Sequence, residues 1–289
     1  MVEPPTLPPA GTLIGFPNAK VNIGLQVRKK RKDGFHEIES LFVPIPWKDT
    51  LELEVRPLHE STSLLTHGLS IPGRAEENLI LRAHSLLQEE YGLPPVRFHL
   101  VKSIPMGAGL GGGSADGAFA LRLLNQKFEL NLGTEQLKAH AATLGSDCPF
   151  FIQNTPSLVS GRGDKIQPIA LPLEGWWWVL IHPGVHIDTQ AAFGWVEPND
   201  KRPRLDSSAG KEPAEWNQAL LTNDFAGPVT ERYPAVRKAL DRIRKHGAVF
   251  SDMSGSGSTV FGLFAEEPAT SLLKDCPKNW KTWQGKSAL

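Results

Sequence analysis

"IPMGAGLGGGSADGAFAL" occupies Ile104–Leu121 and carries six glycines immediately before a run of good helix formers. Glycine costs backbone entropy, so such a concentration needs a reason. The preceding "VRFHLV" (Val96–Val101) reads as a strand, and from Ser114 onward Ala115, Ala118, Leu121 and Leu124 recur at helical spacing. A strand, a glycine loop and a helix start together form a phosphate cradle. Glycines let main-chain N–H groups approach an anion, and the helix adds unpaired N–H groups and the positive end of its dipole. A plain turn needs only one or two glycines.

The spacing separates two kinds of cradle. Gly107-x-Gly109-x-x-Gly112 matches the dinucleotide fingerprint, but that motif opens a first βαβ unit and wants an acidic residue after a second strand. Glu129 is near the right distance, yet no clear strand precedes it. Against the Walker pattern, Gly107 and Gly112 fit and Ser114 supplies the hydroxyl, but Gly113 stands where the lysine belongs. This loop must therefore find its cation elsewhere. A magnesium ion contacted by Ser114 is one source. Lys102, just before the loop, is a second candidate to face the nucleotide, although a solvated lysine is its plainer reading.

Bulk properties exclude several classes. Among 289 residues, Lys+Arg and Asp+Glu number 31 each, so the formal net charge is zero. That argues against non-specific binding of nucleic acid or of anionic membrane. Two cysteines, Cys148 and Cys276, give neither a disulfide framework nor a CxxC zinc pattern and fit a reducing, cytoplasmic setting. The start, "MVEPPTLPPAGT", is proline-rich with no apolar or arginine-rich targeting pattern, and residues 1–15 read as a flexible tail. No apolar run approaches the ~20 residues that span a bilayer.

Along the chain, "VNIGLQV" (Val21–Val27) alternates as a strand with one buried face, and "LELEV" (Leu51–Val55) does the same. "NLILRAHSLLQEEYG" (Asn78–Gly92) switches to helical period, with Asn78 as cap and Gly92 as exit. Thr134 is expected to cap a further helix ending at Leu144–Gly145, and Ser157–Ile169 reads as a hairpin. In Trp176–Trp178 the alternation of a strand favours core packing over an aromatic box. Glu197–Trp216 is polar and reads as a loop. Ala235–Gly247 is an amphipathic helix, and Ala248–Phe264 is strand, glycine–serine turn, strand. The mixed order indicates an α+β chain of two lobes, divided here as 16–165 and 166–289.

The glycine motif resembles the phosphate-binding motif of the GHMP kinases, the superfamily of galactokinase, homoserine kinase and mevalonate kinase. "FPNAKVNIGLQV" (Phe16–Val27) is similar to that family's opening strand, and "SGSGSTVFGLF" (Ser254–Phe264) to its third motif. "RKDGFHEIESLF" (Arg31–Phe42) and "LGSDCPFFI" (Leu144–Ile152) resemble the branch that phosphorylates a CDP-linked methylerythritol in non-mevalonate isoprenoid synthesis. The resemblance runs in order from about Pro17 to Phe264. It implies a two-lobed GHMP-kinase-like fold with the active cleft between the lobes. It also implies ATP with Mg2+, a small-molecule alcohol as acceptor, and no obligate protein partner.

Carried over residue by residue, the resemblance makes Asp147 the carboxylate that draws the proton from the attacking hydroxyl. A helix cap or a turn residue before Pro149 is the plainer alternative. Lys20 matches the family lysine that stabilises charge on the transferring group. Asn22, two residues on, shares its strand face. Pro105, Met106, Gly107, Ala108, Gly109, Leu110, Gly111, Gly112, Gly113, Ser114 and Ala115 form the ATP cradle. Asn78 matches a position near adenine, though capping suits it equally. His36 matches a histidine that reads a cytosine edge, with Phe35 stacking on the base and Phe193 as the other side of a sandwich. Thr189 matches a substrate contact, and Gly255 and Gly257 offer N–H groups to phosphates. Asp116 is a departure: an acid beside a triphosphate is unfavourable unless it points away or meets the metal, although a first-turn acid suits the helix dipole. Gly117 inside the helix is unexplained by sequence. Competing readings are another GHMP kinase, for homoserine or a mevalonate-pathway alcohol, and a non-catalytic nucleotide-binding protein.

Overall fold

In the computed structural model, residues 11–287 are described. The strands are β1 (Leu13–Gly15), β2 (Asn18–Lys30), β3 (His36–Lys48), β4 (Thr50–Val55), β5 (Ser63–Gly68), β6 (Val96–Lys102), β7 (Ser157–Gly161), β8 (Lys165–Pro168), β9 (Trp177–His182), β10 (Phe250–Met253), β11 (Val260–Phe264) and β12 (Lys281–Lys286). The helices are α1 (Leu79–Tyr91), α2 (Gly112–Lys127), α3 (Thr134–Leu144), α4 (Cys148–Gln153), α5 (Thr189–Phe193), α6 (Ala226–Arg232), α7 (Pro234–Lys245) and α8 (Ser271–Lys274).

The expected tail over residues 1–15 lies, up to residue 10, outside the described residues. Its last part is strand, not tail: Leu13–Gly15 pair with Leu51–Leu53 of β4. So short a strand carries no period of its own, and its partner lies some forty residues away.

The chain forms two units, and they are not contiguous in sequence. One comprises the chain up to Ala19, Lys48–Met106 and Gly112–Asn154; the other comprises Lys20–Trp47, Gly107–Gly111 and Thr155–Leu289. This differs from the expected division at 165/166. The cause is strand pairing, because β3 runs antiparallel to β7 and most of β2 and β3 therefore belongs with the later chain.

The first unit holds a sheet of order β1-β4-β6-β5, with β5 parallel to β6 and the other pairs antiparallel. The helices α1–α4 belong to it. Asn78 caps α1, its Oδ1 accepting the Ile80 N–H at 2.9 Å, and Gly92 closes the helix with φ 68°. Gly133, not Thr134, caps α3, with its N–H bonded to Gln136 Oε1 at 3.0 Å. Gly117 now has a reason: a Cβ there would lie 2.7 Å from the Leu79 Cβ, so its absence lets α1 and α2 close together.

The second unit holds the sheets β2-β3-β7-β8 and β10-β11-β9-β12. Their core draws Leu25, Val27, Val179, Ile181, Val260 and the buried face of α7 into one cluster. Trp178 is fully buried with its ring 5.9 Å from Phe261, as core packing requires. The strand expected to bury one face is buried on both, from Asn18 through Arg28. Distant partners meet its polar side chains in part, while Gln26 Oε1 and Arg28 Nε are buried without a hydrogen bond. Gln26 donates to the Leu220 carbonyl at 3.1 Å, and Arg28 pairs with Glu39 at 3.0 Å. Arg28 also holds the carbonyls of Arg202 and Pro203, which anchors the polar stretch 197–216.

Candidate active site

In the second unit, the loop 107–111 lies directly against the β10–β11 turn. Ser254 Oγ donates to the Gly109 carbonyl at 2.7 Å and accepts the Asn22 N–H at 3.1 Å. The Thr259 N–H donates to the Ala108 carbonyl at 3.2 Å, and the Lys20 N–H to the Leu110 carbonyl at 2.9 Å. Gly109 has φ 78°, and a Cβ on it would collide with the Ser254 carbonyl oxygen. Part of the glycine content thus serves loop-on-loop packing rather than an anion. Ala108 and Leu110 are buried.

Lys20 is 4 % exposed. Its Nζ donates to Asn22 Oδ1 at 2.6 Å and stands 4.3 Å from the Phe42 ring centroid. Asn22 is held in turn by Ser40, whose Oγ accepts from Nδ2 at 3.0 Å and donates to the Gly24 carbonyl at 2.6 Å. An ammonium fixed this way is pre-organised, and burial makes its field count for more than it would in water. Ser254, which sequence reading passed over just before Gly255, joins Asn22 to the glycine loop. Asn223 was also missed. Its Nδ2 donates to the carbonyls of Met253 and Gly255 at 2.7 and 2.8 Å and fixes the second turn. The repeated Ser-Gly pattern was the available signal for Ser254; nothing local marks Asn223.

Gly255 and Gly257 have φ 60° and 104°, in keeping with a tight turn. Thr189 opens α5 but does not cap it. Asp188 does, accepting the Ala191 N–H at 2.7 Å, while Thr189 Oγ1 lies 2.8 Å from Ser256 Oγ. His36 and Phe193 stack on each other at 4.7 Å with planes 10° apart, and Phe193 meets Phe225 edge-on at 4.9 Å. In this structure the imidazole covers one face of Phe193. Phe35 is 56 % exposed, with the Arg162 guanidinium 4.8 Å over its ring. Burial, helped by Lys30, lowers the His36 pKa and favours a neutral ring with one donor and one acceptor.

In the first unit, Gly112, Gly113, Ser114 and Ala115 open α2, and Pro105 and Met106 lead toward the loop. Burial pushes the nearby Cys148 thiol up to about 12, a rise that Ser114 opposes. Asp147 stands half-buried in the turn before α4, and its side chain makes no capping hydrogen bond there, so the plainer reading holds as a turn residue and not as a cap. Asn78 spends its side-chain oxygen on the α1 cap.

Lys102 is corrected. It is 1 % exposed and its Nζ is held by Asp49 Oδ2 at 2.5 Å and Asp116 Oδ2 at 2.6 Å. Two carboxylates occupy it, and no face is left for a nucleotide. Asp116 resolves the sequence puzzle by pointing into the core. Because α2 begins at Gly112, Asp116 also lies beyond the first turn, and the helix-dipole argument for it lapses. Burial, assisted by Asp49 and opposed by Lys102, pushes its carboxyl up to about 7.

Among the described residues no cluster of three or more His, Cys, Asp or Glu could hold a metal ion by itself. No helix among them is long and apolar enough to cross a membrane.

Both parts of the chain match known families: the N-terminal domain of GHMP kinases over residues 78–155 and the C-terminal domain of GHMP kinases over residues 206–282. A 4-diphosphocytidyl-2-C-methyl-D-erythritol kinase of Cytophaga hutchinsonii is 47 % identical over 89 % of this chain and 94 % of its own length. One from Bacteroides fragilis is 44 % identical over 88 % and 93 %. A crystal structure of 4-(cytidine 5'-diphospho)-2C-methyl-D-erythritol kinase superposes with a TM-score of 0.76 at 33 % identity, covering 94 % of this chain and 98 % of that one. A mevalonate kinase structure superposes at 0.71 with 14 % identity, a likeness of fold alone. The chain belongs to the GHMP kinase family, in the branch of the 4-diphosphocytidyl-2-C-methyl-D-erythritol kinases.

Proposed function

We propose that this chain transfers the γ-phosphoryl group of ATP to the tertiary 2-hydroxyl of 4-CDP-2-C-methyl-D-erythritol. The observation that carries the reading is the buried Lys20 ammonium, joined through Asn22 and Ser254 to the carbonyl of Gly109. A fixed cation is thereby coupled to the glycine loop that lacks its own lysine. The sequence match to relatives named for this acceptor supports the choice of alcohol.

Phosphoryl transfer asks for positioning and charge stabilisation more than covalent participation. In the proposed reaction the hydroxyl oxygen bonds to the γ-phosphorus, and the bond from that phosphorus to the β–γ bridging oxygen breaks, its electron pair leaving with ADP. Asp147 takes the hydroxyl proton. Lys20 stabilises charge on the transferring group, and main-chain N–H groups of residues 107–114 hold the phosphates. Mg2+ needs few protein oxygens when phosphates and water supply the rest, and the Ser114 hydroxyl is the group proposed to hold it. It would neutralise phosphate charge.

On the acceptor side, neutral His36 offers a donor and an acceptor to a cytosine edge. Phe193 sets its plane, and Phe35 presents an open ring face for stacking. Thr189, Gly255 and Gly257 are proposed contacts of the acceptor diphosphate. Reactants that are soluble nucleotides make the cytoplasm the proposed compartment.

Asp147→Asn and Lys20→Ala test the roles. Each is expected to lower kcat by about a hundredfold or more in protein that remains folded. Turnover retained by both variants would remove the assignment.

A further inference from the structure

Asp49, Lys102 and Asp116 are 0, 1 and 3 % exposed and come from three separate elements. Asp49 stands between β3 and β4, Lys102 ends β6, and Asp116 lies in α2. Besides its ion pair, Asp49 accepts the N–H groups of Ser103 and Ile104 on Oδ1 at 2.6 and 2.9 Å. One carboxylate thus fixes the chain as it leaves β6 toward the glycines. Lys102 reaches across to Asp116, fourteen residues on, and fixes the start of α2 where the chain leaves them. Gly112 packs beneath this bridge: a Cβ there would stand 3.1 Å from Lys102 Nζ and 2.9 Å from Ile104 Cγ2.

Burying three charges is costly, and the arrangement is not even neutral when both acids are ionised. Asp116 Oδ1 is buried without a hydrogen-bond partner. A network that served stability alone would be replaced profitably by apolar side chains. What it achieves is geometric, since it clamps both flanks of a glycine-rich segment that otherwise has the most backbone freedom in the chain.

We propose that Asp49, Lys102 and Asp116 form an ionic staple that holds the glycine loop's two flanks at fixed separation and so pre-organises the loop for ATP; all three are positioning residues. The proposal rests on reading that loop as the ATP cradle. A loop already in its bound shape binds without the entropy loss of ordering, so releasing one flank weakens ATP binding and spares the chemistry of the acceptor.

Asp116→Ala and Asp116→Leu remove the α2 end of the staple, with and without a cavity, and leave Lys102 and Asp49 as a neutral pair. In whichever variant keeps the wild-type melting temperature, KM for ATP is expected to rise about tenfold, kcat and the acceptor KM to change less than about threefold, and Asp116→Asn to restore KM for ATP. A folded variant whose KM for ATP stays within about twofold of wild type overturns the proposal. Loss of the fold in both variants also overturns it, since the triad would then serve the fold rather than the loop. Gly109→Ala, measured alongside, separates the two failures. If it also leaves KM for ATP unmoved, the ATP-cradle reading itself is wrong. If it raises KM for ATP while the Asp116 variants do not, only the staple fails.

Discussion

Replacing Gly109 by alanine adds one methyl group at the tightest point of the glycine loop. Two costs follow from the structure. At φ 78° an L-residue is in left-handed backbone, which costs about 1–2 kcal/mol. The new Cβ would also run into the Ser254 carbonyl oxygen and lie 3.2 Å from the Gly257 carbonyl oxygen. Both neighbours are backbone, so relief requires the two loops to separate, and overpacking of this kind costs about 1–3 kcal/mol. Alanine returns about 0.4–1 kcal/mol by restricting the unfolded chain. The net loss is about 2–4 kcal/mol, a fall in melting temperature of about 3–7 °C for a chain of this size. Separation also breaks the Ser254–Gly109 bond that couples the loop to Asn22 and Lys20. Hence kcat should fall together with a rise in KM for ATP.

Gly113→Ala is the internal control. It has no positive φ, and the nearest atom to its Cβ would be the flexible Met106 Cε at 3.2 Å. Thermal unfolding and steady-state kinetics on both variants check the reasoning. Gly109→Ala melting within about 1 °C of wild type, or Gly113→Ala proving the more damaging of the two, would refute it.

Two further outcomes follow from the same geometry. The Asp116 carboxyl is raised from its ordinary 3.8 to about 7. Between those values the unfolded chain has released a proton that the folded chain still holds, so stability falls as pH rises through that window. A side-chain amide at this position has no such proton to release, and Asp116→Asn should therefore melt close to wild type near pH 4 and above it at pH 8, by at most about 4 kcal/mol. Melting curves at the two pH values check this, and a constant difference between the proteins would contradict it. Ser254→Ala removes the hydroxyl shared by Asn22 and Gly109. It should cost about 1–2 kcal/mol of stability and lower kcat/KM for ATP about tenfold, read by the same two assays.

What was legible in the sequence was local. Asn78 and Gly92 bracket α1 because a cap and a left-handed exit act on their own helix, and the spacing of Ala115, Ala118, Leu121 and Leu124 marks the buried face of α2. The glycine loop and Lys20–Asn22 were visible because their residue types are unusual where they stand. What was not legible depends on distant partners. β1 exists only against β4, and the second face of β2 is buried where Glu39 meets Arg28 and the Leu220 carbonyl meets Gln26. Lys102 looked like a nucleotide ligand until Asp49, fifty-three residues away, was placed beside it. Gly117 looked like a helix defect until Leu79 was packed on it. The His36–Phe193 stack was not legible either, since ring chemistry is readable in sequence while ring partners are not.

Acceptor choice is the most direct test of the whole assignment. The purified chain, ATP and Mg2+ should be offered 4-CDP-2-C-methyl-D-erythritol, homoserine and mevalonate in parallel, with ADP release and the phosphorus NMR spectrum of the product recorded. Rapid ADP release with the cytidine-bearing alcohol alone, and a new phosphomonoester signal on that product, is the expected result. Equal or faster turnover of homoserine or mevalonate, or no phosphoester on the cytidine compound, would contradict it.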